Sequence, residues 1–159
     1  MIKIAGAIIV VFVSTYIGFY KSSMLEKKLV RIRKIIRMYD EIGILLGFNV
    51  YTSDEILDHL KSSSELNELD FFIKDSNINN INDKIIGTNI LSADEKELLS
   101  GFFSHLGSTD LQGQIASVKM YSKAFQEKYN DFKEIKEEKT RLYRSMGFLV
   151  GVFICIILM

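Results

Sequence analysis

A chain of 159 residues with no Pro, no Trp and a single Cys leaves room for one modest domain, and it excludes a disulfide framework or a cysteine-based metal site. Its net charge of zero hides a strong segregation: residues 1–20 carry +1, 21–38 carry +6, 39–118 carry −10 and 119–159 carry +3. Basic segments therefore adjoin both ends of the chain, and the acid lies in the middle.

The first element is the run Ile4–Tyr20, IAGAIIVVFVSTYIGFY, seventeen uncharged residues between Lys3 and Lys21. That length suits a transmembrane helix. A cleaved signal peptide is the competing reading. No small-x-small cleavage pattern follows the run, which ends among Tyr16, Phe19 and Tyr20, and no Cys is placed for a lipid anchor. A retained membrane helix over residues 1–20 is the expectation, with Ser14 and Gly18 as a small-xxx-small pair that allows close helix packing.

Beyond Lys21, Leu25, Leu29, Ile32, Ile36, Tyr39 and Leu46 recur at helical spacings with no Pro or Gly between this stripe and the apolar run. One long helix is predicted through both. It carries Lys27, Lys28, Arg31, Arg33, Lys34 and Arg37, a run that could suggest nucleic acid. One or two turns from a bilayer, attraction to anionic headgroups at about 1 kcal/mol per basic residue is the better account, and no nucleic-acid partner is expected.

Thr52 followed by Glu55 reads as a capping box that opens a short helix to about Leu60, and Ser62 with Glu65 repeats the pattern before LNELDFFI. Asn77 to Asn89 is rich in Asn, Asp and Gly and reads as irregular, with at most a helical turn at Lys84–Ile86. Ser92 and Glu95 form a third capping box, opening a helix with Leu98, Leu99, Phe102, Phe103 and Leu106 on one side. The acids Asp54, Glu55, Asp58, Asp94, Glu95 and Glu97 crowd the starts of these helices, where they complement the macrodipole. They are also the candidate partner-binding residues, expected on an acidic face far from the apolar ends.

In Leu106–Gln114, LGSTDLQGQ, Gly107 offers a stop, Ser108 or Thr109 a cap, Asp110 a favourable charge, and Gln114 a side chain turned back toward the break. From Leu111 the apolar period runs through Ile115, Val118, Tyr121, Phe125, Tyr129, Phe132, Ile135 and Leu142 into the last segment. A helix over 109–159 would reach about 76 Å. Its final residues, GFLVGVFICIILM, carry no charge, and residues 145–159 are expected to form a second membrane span. From Arg144 that run reaches about 22–24 Å, short of the ~30 Å hydrocarbon core, so the bilayer would thin locally. Gly147 and Gly151 form a GxxxG pair suited to helix packing, within one chain or in a homo-oligomer. Arg141 and Arg144 precede this span as the earlier basic run follows the first. By the positive-inside rule the domain 21–144 is then cytoplasmic and both termini lie outside.

The expected fold is all-α and membrane-anchored: two long antiparallel helices continuous with the terminal spans, topped by shorter helices. No Gly-rich phosphate loop, nucleophile elbow or His-Glu-x-x-His helix is present, and His59 and His105 stand alone. No enzyme activity, cofactor or metal is expected.

Three features together resemble a known family: LGSTDLQGQ at the last helix break, Thr15-Tyr16-Ile17-Gly18-Phe19 near the end of the first apolar run, and Tyr143-Arg144-Ser145-Met146 before the terminal GxxxG. The chain is similar over its whole length to stage III sporulation protein AB of endospore-forming bacteria. It departs from that family at Tyr51-Thr52-Ser53-Asp54, where a Thr-Pro-Leu helix start is usual. The resemblance marks Leu106, Gly107, Thr109, Asp110 and Gln114 as family-motif residues. It implies a likeness to the cytoplasmic domains of type II secretion F proteins and a scaffold role in the inner membrane of the mother cell. It also implies an assembly reaching the forespore, with a secretion-type cytoplasmic ATPase and other stage III sporulation membrane proteins as partners. The alternatives are a membrane-anchored ligand-binding sensor and a platform protein of a type II secretion or type IV pilus-like system.

Overall fold

The computed structural model describes the backbone of residues 2–48, 51–72, 76–89 and 91–158, with side chains described mainly between 23 and 139. Among these residues there are five helices and no strand: α1 (Ile2–Phe48), α2 (Ser53–Ser62), α3 (Ile81–Gly87), α4 (Ala93–His105) and α5 (Leu111–Leu158). The all-α expectation holds, and so does the long uninterrupted first helix. With 47 and 48 residues, α1 and α5 each run about 70 Å.

The chain forms two compact units, Met1–Val30 with Tyr129–Met159, and Arg31–Lys128. Both divisions fall inside the segment read from sequence as one domain over 21–144. In the first unit the Lys28 ammonium lies over the Phe132 ring at 4.0 Å and Lys136 pairs with Glu26 at 3.5 Å. Falling numbers on α1 thus meet rising numbers on α5, so the two segments are antiparallel. Ser14, Gly18, Arg141, Arg144, Gly147 and Gly151, on which the packing and flanking expectations rest, lie outside the residues described beyond their backbone. Among the described residues no helix is long and apolar enough to cross a membrane.

The second unit is a helical cluster around Tyr39. Ile32, Ile35, Met38, Ile42, Leu45 and Leu46 of α1 are buried there with Ile56, Leu57 and Leu60 of α2, Leu99, Phe102 and Phe103 of α4, and Val118 and Phe125 of α5. The buried stripe of α1 is wider than the spacing of the strongest apolar positions suggested, because α1 is packed by elements on more than one side. The Tyr39 ring meets Phe102 edge-on at 4.8 Å, Phe125 at 5.7 Å and Tyr121 in a stack at 6.3 Å. Its hydroxyl is buried with no hydrogen-bond partner among the described residues, and burial pushes the phenol far above its ordinary range.

Local sequence explains two of the short helices. Thr52 and Ser92 accept from the N–H groups of Glu55 and Glu95, and each glutamate closes its capping box in return. The third box does not form. Ser62 ends α2 with its hydroxyl on the His59 carbonyl, Glu65 pairs with Arg37, and residues 63–71 run as consecutive turns. A carboxylate drawn to a guanidinium on another element is no longer available to cap. The irregular stretch instead holds α3, longer than the single turn expected, because Ile81 and Ile85 are both fully buried. Asn82 donates to Ser104 Oγ at 2.9 Å and Lys96 to the Ile86 carbonyl at 2.7 Å, tying α3 to α4.

Candidate functional site

The helix break at 106–114 is built from small, specific contacts. α4 ends at His105, and Gly107 follows with φ of +83°, a left-handed conformation that costs other residues about 1–2 kcal/mol. A Cβ there would also collide with Ser53 Oγ, the hydroxyl that donates to the Leu106 carbonyl at 3.2 Å. Neither Ser108 nor Thr109 caps α5. Asp110 does, its Oδ1 accepting from the Gly113 N–H at 3.1 Å. Gly113 is held small by the same contact, since a Cβ would lie 2.8 Å from that oxygen. Gln114 turns back as expected and donates to the Thr109 carbonyl at 3.0 Å.

Through Ser53 the break is joined to the start of α2, which carries three of the candidate acids. Glu55 is exposed, and its carboxylate accepts from the Thr52 N–H at 2.7 Å and from the Thr52 hydroxyl at 2.9 Å. These bonds, the backbone one foremost, hold its carboxyl below the usual range. Asp54 accepts from the Ile78 N–H at 3.2 Å, and Asp58 pairs with Lys61 at 2.7 Å. Both remain exposed. Family-motif residues and acids thus share the end of the second unit at which α5 begins.

The other three acids lie elsewhere. Asp94 pairs with Lys128 at 3.6 Å, at the end of the unit where α5 leaves it and not at the far end expected from sequence. α4 has thirteen residues, so this cluster stands roughly 18 Å along the helix from the Ser53 contact. Glu95 is 1% exposed, and its carboxylate accepts from the Ser92 N–H at 2.8 Å. It belongs to the cap and the core, not to a surface. Glu97 is exposed. The six acids are two patches, of which the one on α2 adjoins the break.

The basic run is also divided. Arg31 pairs with Asp70 at 2.9 Å, Lys34 with Glu68, and Arg37 with Glu65 and, at 3.6 Å, with Glu41. Three basic residues at spacing three meet three acids in reverse order, fastening the turns of 63–71 to α1. Each of these three side chains, expected from sequence to face lipid headgroups, has a carboxylate partner within the protein. Pairs this exposed contribute about 0.2–1 kcal/mol each, so the ladder fixes register more than it stabilises. The basic residues recur at spacing three and the acids at spacings of three and two, but the pairs span 28 to 39 positions of sequence. Lys27 and Arg33 are exposed, and Lys28 lies against Phe132. Among the described residues no three His, Cys, Asp or Glu side chains are grouped to hold a metal ion.

The fold defines a class: an all-helical protein in which two long helices are joined in the chain by three short ones, the last of them ending at a tightly specified helix break. Residues 3–159 match the family of stage III sporulation protein AB, and the chain belongs to that family. Its role accordingly lies in sporulation. No curated protein and no solved structure matches the chain.

Proposed function

We propose that the chain is a non-enzymatic platform subunit of a secretion-like sporulation complex, anchored in the mother-cell membrane by its two apolar ends. Its second unit lies in the cytoplasm, and there it docks a secretion-type ATPase alongside other stage III sporulation membrane proteins. The observation that carries this reading is the joining of the acidic start of α2 to the family-motif break through the Ser53–Leu106 bond. A rigid acidic end presents charge to a basic partner at a fixed position. Such charge acts mainly on association rate and is screened over about 8 Å at physiological salt. The basic flanks of the apolar ends support the topology, with both termini outside.

Two measurements test it. A reporter active only outside the cytoplasm, fused after Met159, is expected to be active, and activity of a cytoplasmic reporter at the same position contradicts the topology. Affinity purification of the full chain from detergent-solubilised sporulating cells is expected to recover the ATPase, with recovery falling as salt rises. Salt-independent recovery, or none, contradicts docking through the acidic end.

A further inference from the structure

The second unit has one side of the α1 and α5 pair closed and another open. Tyr39, Val118 and Phe125 join the core, while an open groove of about 640 Å³ runs between the same two helices, with Tyr39, Gly43 and Val118 along its floor. Gly43 lines the groove without a side chain, and a Cβ there would come only into ordinary contact with Val118 at 3.5 Å. Ile44, 57% exposed, and Ile115 line it, and beyond it stand Phe48, one turn on from Ile44 and 86% exposed, and Leu111, one turn before Ile115 and 40% exposed. Surface of this kind gains free energy in proportion to the area removed from water.

The charges on the lips say what covers it. Asp40 stands on the α1 lip and Lys119 and Lys123 on the α5 lip, all three exposed and all lining the one groove. Asp40 and Lys119 have no ion-pair partner among the described residues, and Lys123 reaches Glu127 only at 4.0 Å. We infer that this face binds a second copy of the same chain. A half-turn about an axis lying in the face and parallel to the helices lays α1 of one copy on α5 of the other and leaves heights along the axis unchanged. Asp40 of each copy then meets Lys119 and Lys123 of the other, twice by symmetry, while Ile44 and Ile115 close the centre. A surface of one sign, such as an anionic bilayer, attracts one lip and repels the other. The pairing is self-complementary because the two lips carry opposite charge at one level.

Residues 36–48 span about 20 Å, and two adjacent helices are about as wide, so each copy contributes roughly 400 Å² of projected area. The two faces together make about 800 Å², below the ~1,200 Å² of a standard interface, so the contact is a weak one and association at micromolar or higher concentration is expected. The inference uses a different surface from the acidic end of α2 and stands whether or not that end docks an ATPase.

Charge exchange tests it on the full chain in detergent, with self-association followed by sedimentation and by subunit-exchange fluorescence. Asp40→Lys alone, and Lys119→Glu with Lys123→Glu, are each expected to weaken self-association about tenfold or more by placing like charges opposite one another. An equal mixture of the two variants is expected to form heteromers at wild-type concentrations, since every facing pair is again opposite in sign. All three substitutions in one chain are expected to restore the homomer, which also shows that loss in the parents was not misfolding. A wild type that stays monomeric at micromolar and higher concentration overturns the inference, as does self-association indifferent to the substitutions or a loss that mixing does not restore. Loss of binding to anionic vesicles in the lysine variant, with self-association unchanged, assigns the face to lipid and overturns it equally. ATPase recovery measured on the same variants separates a failure here from a failure of the docking reading.

Discussion

α2 and α4 open with the same chemical device and end in different surroundings. Thr52 with Glu55 and Ser92 with Glu95 make equivalent capping boxes, yet Glu55 is exposed beside the break at 106–114 and Glu95 is 1% exposed within the fold. The capping pattern is local and says where a helix begins. Whether its carboxylate becomes surface or core depends on what packs over that first turn. The acids that looked like one face are therefore divided between an exposed patch tied to the family motif and a cluster beside Lys128 whose central member is buried.

The largest expected effect is at the contact that seats α2. Gly107→Ala combines a left-handed backbone with a collision against Ser53, and a loss of about 2–3 kcal/mol is expected in thermal or urea unfolding of the full chain. Gly47→Ala, in a helix with nothing within 4 Å of the added carbon, is expected to stabilise by about 0.5–1 kcal/mol. Equal effects at the two glycines would show that the break is not constrained as described.

Removing each cap comes next. Glu95→Ala strips an acceptor from a buried first turn, and about 2 kcal/mol is the expected loss. Glu55→Ala, fully in water, is expected to cost clearly less, and comparable melting shifts would erase the distinction between the two sites. The smaller effect has a pH signature. The Glu55 carboxyl is held below its usual range in the folded chain, so its contribution is present above the unfolded value and is lost as pH falls through the folded one. The difference in melting temperature between wild type and Glu55→Ala is expected to be constant near neutral pH and to shrink in acid. A difference that grows in acid would contradict the hydrogen bonds assigned to Thr52. Tyr39→Phe, which removes a buried hydroxyl without a partner among the described residues, is expected to leave stability unchanged or raise it by up to about 1 kcal/mol.

These contrasts show what was readable in the residues. The two long helices, the caps at Thr52 and Ser92, and the stop at Gly107 depend on short-range spacing and were legible. The cap of α5 was misplaced by one or two residues because Ser108, Thr109 and Asp110 are all able caps, and only the backbone geometry selects Asp110. The false box at Ser62–Glu65 and the unforeseen partners of Arg31, Lys34 and Arg37 share a cause. Both overlooked ion pairs between residues 28 to 39 positions apart, which no local pattern reveals. α3 was underestimated because Ile81 and Ile85 are too few to make a stripe by themselves, although both are buried. Of the candidate site, the residue types were legible and their division into two patches was not.

The central claim is that the acidic start of α2, and not that of α4, receives the cytoplasmic partner. Its most direct test is the association rate of the ATPase with the full chain, compared between Asp54→Asn with Asp58→Asn and Asp94→Asn with Glu97→Gln, at low and high salt. The account predicts a several-fold slowing for the α2 pair at low salt that fades at high salt, with little change for the α4 pair. Slowing confined to the α4 pair, or rates indifferent to both pairs and to salt, would contradict it.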